Sequence, residues 1–134
     1  MAQLAVAYLA TAVVFLVLDA LWLGRVATHF YKSQLGALLA QPFNLPAAAG
    51  FYLIYCVGII IFAVSPSLAS GNWVHAALYG GLFGFFCYAT YNMTNMATIR
   101  NWPFRMSVVD MGWGTVLTAV SAAAGTLTTR MLFG

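Results

Sequence analysis

The chain has two carboxylates, Asp19 and Asp110, and each stands three residues before a tryptophan, Trp22 and Trp113. In a helix that spacing puts both members of a pair on one face. Both aspartates are set in apolar sequence, where an acidic side chain costs about 2.5 to 3.5 kcal/mol at the centre of a membrane-spanning helix and less towards its ends. Each therefore needs polar partners, and each is a candidate to hold a proton, a small cation or a lipid headgroup. The partners are concentrated in one stretch, YATYNMTNMATIRNWPFRMSVVDMGWGT, from Tyr88 to Thr115. There Tyr88, Tyr91, Asn92, Asn95 and Thr98 fall on about a third of a helix circumference. Arg100 and Arg105 follow in the short basic loop between them and Asp110.

Two readings of this cluster stand side by side. In one, Asp19 and Asp110 open onto a pocket with the amides and phenols. In the other, they pair with arginines such as Arg25, Arg100 or Arg105, or cap nearby backbone, and hold short helices in register. Other chemistry finds less support. His29 and His75 fall on opposite sides of the membrane in the topology below, with no cysteine or carboxylate at ligand spacing, so no metal site is expected. Cys56 and Cys87 lie near the middle of apolar segments, where a thiol acts as a small hydrophobe. No serine, cysteine or threonine stands with a histidine in a recognisable nucleophile motif, and no cofactor is implied. Asn92-Met-Thr94 has the form of a glycosylation sequon, but it falls within a span.

The elements that must position these groups are membrane helices. Of 134 residues, 63% are hydrophobic and 5% charged, with a mean hydropathy of +0.91; soluble domains carry about 25% charged residues. A soluble catalytic module is excluded. The formal charge of +3 comes from Arg25, Lys32, Arg100, Arg105 and Arg130, scattered beside apolar segments and not run together, which points away from nucleic acid and towards membrane lipids. We expect an all-α integral membrane protein, residues 1–134 forming one domain of four transmembrane helices. The first covers Leu4–Leu23, the second runs from Ala47 to about Val64, ended by Ser65 and Pro66, the third from Ala76 to about Ile99, and the fourth from Ser107 to about Leu132. The stretch from Gly24 to Pro46 reads as an amphipathic interfacial helix between the first and second spans, closed by Pro42 and Pro46. The first span lacks a basic leader and a small-residue cleavage site, so it is expected to be retained.

Loops one and three hold four of the five basic residues. With four spans these loops share a side, and the positive-inside rule makes that side cytoplasmic, with both termini periplasmic. Asp19, near the end of a descending span, and Asp110, near the start of an ascending one, then lie at similar depth. The repeated Asp-x-x-Trp in opposite directions also admits a short inverted repeat. In the third span Gly80 and Gly84 form a GxxxG pair, and the fourth is rich in small residues from Ala119 to Gly125. Such residues let helix backbones approach, either within the chain or in a homodimer or with a membrane-protein partner.

Three stretches, FYLIYCVGIIIFAV from Phe51, YATYNMTNMATIRNWP from Tyr88 and VVDMGWGTVLT from Val108, with the aspartate and tryptophan of the first span, resemble a family of small bacterial inner-membrane proteins catalogued as domain of unknown function 2177. The resemblance implies location in the bacterial inner membrane and a site at these positions. It supplies no activity, cofactor or substrate. Asn92 stands where the family pattern commonly has an aspartate, which implies that this chain lacks a third intramembrane carboxylate. Three functions follow as expectations. The first is binding or transport of a proton, small cation or lipid headgroup at the carboxylate cluster; the alternative is a non-catalytic accessory or assembly subunit. The third is a membrane-embedded lipid-modifying enzyme using the carboxylates as acid and base.

Overall fold

The computed structural model describes residues 2–36 and 44–133, and among these the regular structure is helical throughout. Helix α1 spans Ala2–Trp22 and runs without a break, through a π-helical turn at Leu23–Ala27, into α2, Thr28–Leu35. Helix α3, Leu45–Ile59, begins at Asn44, whose side-chain oxygen accepts from the Ala47 N–H at 3.2 Å. Pro46 sits in its first turn, where a missing N–H costs nothing. Another π turn, Ile60–Val64, leads into α4, Ser65–Ser70. Gly71, at φ 69°, closes α4 in the left-handed conformation. Helix α5 is Trp73–Thr98, capped by Asn72, and α6 is Phe104–Phe133.

Two expectations about boundaries change. Ser65 and Pro66 do not end the second helix, which continues to Ser70. The π turn just before Pro66 supplies the reason, since its wider ring absorbs a residue with no N–H to donate and a ring that would clash in a regular turn. Where an interfacial helix is expected, the structure has the short α2 continuing α1; Ala37–Phe43, with Pro42, lie outside the described residues.

Three stretches among the described residues are long and apolar enough to cross a membrane: Ala2–Arg25, Leu45–Ser70 and Phe104–Phe133. Helix α5 has comparable length, 26 residues, but its tyrosines, asparagines and threonines leave it short of the apolarity of the other three. The side chains these helices leave uncovered are those of a lipid-facing surface: Leu9, Val13, Ile54, Phe62, Leu78 and Phe86 are all more than half exposed. Such a surface would be untenable in water.

The closest packing is between α5 and α6. A Cβ on Gly80 would stand 2.7 Å from that of Ala122, and one on Gly84 would run into the Gly114 carbonyl and the Thr118 side chain. These pairs run in opposite directions along the two helices, so α5 and α6 are antiparallel. Helix α1 packs antiparallel on another face of α6, where Gly125 leaves room for Thr11. Helix α3 closes against them with aromatic rings, Phe15 to Tyr55 at 5.3 Å and Tyr55 to Phe83 at 5.3 Å. Gly80 and Gly84 are buried against α6, so their small-residue face is used within the chain.

Candidate functional site

The two Asp-x-x-Trp pairs meet because α1 and α6 are antiparallel and in contact. Each tryptophan lies one turn beyond its own aspartate, which in an antiparallel pair carries it towards the other helix's acid. Trp113 donates its indole N–H to Asp19 Oδ1 at 3.1 Å. Trp22 lies flat against Trp113, with centroids 4.5 Å apart and planes 9° from parallel. Its own N–H donates to the Tyr31 hydroxyl at 3.4 Å, and Tyr31 donates to Asp110 Oδ1 at 2.7 Å. The two acids are thus joined through Trp113, Trp22 and Tyr31.

Each carboxylate oxygen has a donor. Asp19 takes its second bond from the Tyr52 hydroxyl of α3. Asp110 takes its second from Asn92 Nδ2 at 2.8 Å, and the same amide nitrogen donates to the Tyr88 carbonyl one turn back at 2.9 Å. Asn92 is fully buried, and its Oδ1 has no hydrogen-bond partner. An apolar surrounding demands this bonding, because an acid without donors there costs several kcal/mol. Burial and the adjoining Asp110 carboxylate push the Tyr31 phenol above its ordinary value, so Tyr31 stays a donor at any physiological pH.

All the donors are neutral. Among the described residues neither Asp19 nor Asp110 forms an ion pair, and Arg25, His29, Lys32, Arg100, Arg105 and Arg130 are all exposed. The arginines expected as partners are therefore not brought to the acids. They stand at helix ends and in the connecting segment, where a guanidinium remains solvated while phenols, an indole and an amide do the bonding at lower desolvation cost.

The structure brings together Asp19, Asp110, Trp22, Trp113, Asn92 and Tyr88. Asn95 is half-buried one turn beyond Tyr91, so Asn92 and not Asn95 faces Asp110. Tyr91 packs edge-on against Trp102, with centroids 5.9 Å apart. The sequence offers Tyr52, at the depth of the polar cluster on the second span, whereas Tyr31 carries no usable signal: nine residues after Trp22, a regular helix would place it about 180° away. The π turn between them resets that phase.

Beside Asp110 lies a cleft of about 310 Å³, lined by Phe51, Tyr55, Cys87, Tyr88, Tyr91 and Asp110. It is bounded by α3, α5 and the first turns of α6, its walls are mainly aromatic and its one charged group is the acid. Gly114 makes room for the Tyr88 ring that forms one wall. Cys87 and Cys56 are free thiols, and among the described residues no three histidine, cysteine or acidic side chains gather as metal ligands. The arrangement can hold a proton, or a group that donates hydrogen bonds or carries positive charge, where Asp110 borders an apolar cleft.

A family model described as a predicted membrane protein, DUF2177, matches residues 4–127 of the chain. No curated protein matches, and no solved structure matches.

Proposed function

We propose, from the premise that this chain belongs to the DUF2177 family of predicted membrane proteins, that it is a membrane-embedded binding protein that takes its ligand at Asp110. The observation that carries this reading is the opening of an aromatic cleft onto an acid whose partners are all neutral. An acid kept only for structure gains nothing from such a cleft, and a scaffold role would be served as well by an asparagine. An ionisable side chain at membrane depth is a functional candidate by default.

In the same reading α5 is a fourth span. Its 26 residues extend about 39 Å at 1.5 Å per residue, enough to cross the hydrocarbon. Two of its polar residues, Tyr88 and Asn92, turn inward to α6, so part of its low apolarity belongs to the site it carries. With four spans, charge asymmetry puts Arg25, Lys32, Arg100 and Arg105 on the cytoplasmic side of a bacterial inner membrane and both termini outside. Accessibility labelling of single cysteines placed at Lys32 and Gly71 tests this, and labelling of both from one side would sink it.

An accessory role has one observation in its favour: a shallow apolar groove of about 340 Å³ between Trp73 and Ala77 of α5 and Ala119, Ala123 and Leu127 of α6, on the side away from the acids. The binding reading is tested by native mass spectrometry of protein extracted with its surrounding lipid. We expect a bound species on the wild type that is lost from Asp110→Asn while helix content and melting temperature hold. Retention of the species by the variant, or a bare wild type, would count against it.

A further inference from the structure

We infer that the ligand of the Asp110 cleft is an organic ammonium carried on a hydrocarbon chain, its nitrogen at Asp110 and its chain along Phe51, Tyr55 and Tyr91. This rests on the binding reading above and names the chemistry of its ligand.

The walls decide the class. Tyr55, Tyr88, Tyr91 and Phe51 surround the cleft with aromatic rings, whose negative faces attract a cation within about 6 Å of the ring centre and repel an anion. The charged group that borders the cleft is an acceptor. Each Asp110 oxygen takes one donor and keeps further lone pairs free. An anion placed directly at Asp110 would have no basic side chain to offset it, since all five lysines and arginines are exposed, so a phosphate fits only where an ammonium stands between it and the acid. A bare hard cation such as calcium wants six to eight oxygen ligands, and the cleft offers one carboxylate among rings. An ammonium satisfies both ends: its charge pairs with the acid in a low-dielectric site, and its carbon chain replaces apolar contacts that water leaves unmade.

Size limits the rest. At about 310 Å³ the cleft stands at the small end of ligand pockets, room for a headgroup and a few carbons with the remaining chain outside among lipid tails. Two sources share this chemistry, an aminophospholipid headgroup and a free long-chain amine.

The test uses the full chain in lipid nanodiscs and two photoreactive probes, a diazirine-bearing long-chain amine and the matching alcohol, with crosslinks mapped to peptides. In phosphatidylglycerol nanodiscs the amine should label the peptides containing Phe51–Tyr55 and Cys87–Tyr91 about tenfold more than the alcohol, and Asp110→Asn should bring that ratio to about one. Because Asp110→Asn removes a group from the polar network, Tyr91→Leu, at an exposed wall position, provides a second variant and should lower the ratio about 2- to 5-fold. If phosphatidylethanolamine nanodiscs suppress the amine labelling, the phospholipid headgroup is the source; if they do not, the free amine is. Equal labelling by amine and alcohol in the wild type would overturn the ammonium assignment while keeping the cleft as a binding site. Failure of both probes to reach the cleft would overturn both readings.

Discussion

The two ends of the helix cluster are held by opposite means. Toward the Gly71 end, α1, α5 and α6 touch backbone to backbone at Gly80, Gly84 and Gly125, with Thr11 and Thr118 filling the remaining space. Toward the Arg100 end the same helices are held by long side chains, two acids, two indoles, phenols and an amide. Contact through glycine leaves no room between helices, whereas contact through rings and hydrogen bonds spaces them and opens a cleft. The site therefore begins where the glycines stop. Gly114 marks the border, since its missing side chain is what admits the Tyr88 ring.

The comparison is broken most severely at the glycine end. In lipid, close approach is itself a main source of helix association, and Gly84 faces a backbone carbonyl that cannot step aside. Gly84→Leu is expected to cost 3 kcal/mol or more, at the upper end of overpacking penalties of about 1–3 kcal/mol, read as a lower melting temperature in detergent. A variant that melts with the wild type would show that α5 and α6 are not held as described.

At the polar end the largest loss should follow Trp113→Phe. The ring can still stack on Trp22, but Asp19 loses one of its two donors, and bonds to charged groups are worth about 1.5–3 kcal/mol. Unchanged melting here would mean that the Asp19 bond adds nothing to the fold. Tyr31→Phe removes both the donor to Asp110 and the acceptor of the long Trp22 bond, and should still cost less, about 1–1.5 kcal/mol, because Asp110 keeps Asn92 and borders an open cleft. It also has a pH signature. A phenol raised in the folded state contributes stability that is whole below its ordinary value of 10.0 and is lost as pH rises through the folded value. Wild-type melting should therefore fall more steeply above pH 10 than that of Tyr31→Phe, and parallel curves would disprove the Tyr31 to Asp110 bond.

How much of this was legible in the sequence depends on whether a feature obeys helical period. The three-residue step from each aspartate to its tryptophan and the glycines of α5 follow that period, so their shared faces could be read directly, whereas the arc from Tyr88 to Asn95 reads too broadly, since Asn92 is buried at Asp110 while Tyr91 is exposed and Asn95 half-buried. The inward turn of Tyr31 and the continuation past Pro66 could not, because both depend on π turns that change phase within five residues, at Leu23–Ala27 and Ile60–Val64. The arginines misled for a different reason. Proximity in sequence to Asp110 says nothing about which donor is cheaper to bury, and Asn92 is.

The smallest expected effect is the one that localises the border. Gly112 and Gly114 lie two residues apart on α6, about 200° around the helix from one another. A Cβ on Gly114 would run into the Tyr88 ring, while one on Gly112 would meet nothing within 4 Å. Alanine at 114 must push back a ring that is itself packed on Tyr55, with centroids 6.1 Å apart, so the cleft wall shifts and stability falls. Alanine at 112 adds no contact and removes the backbone freedom that glycine brings to the unfolded chain, a gain of about 0.5–1 kcal/mol in a helix. The two substitutions are chemically identical, so helix propensity is common to both and cancels in their difference. Opposite signs in melting temperature would place the contact between Tyr88 and α6 at Gly114. Equal shifts would mean that the ring does not pack there, and the cleft would lose the wall on which its shape depends.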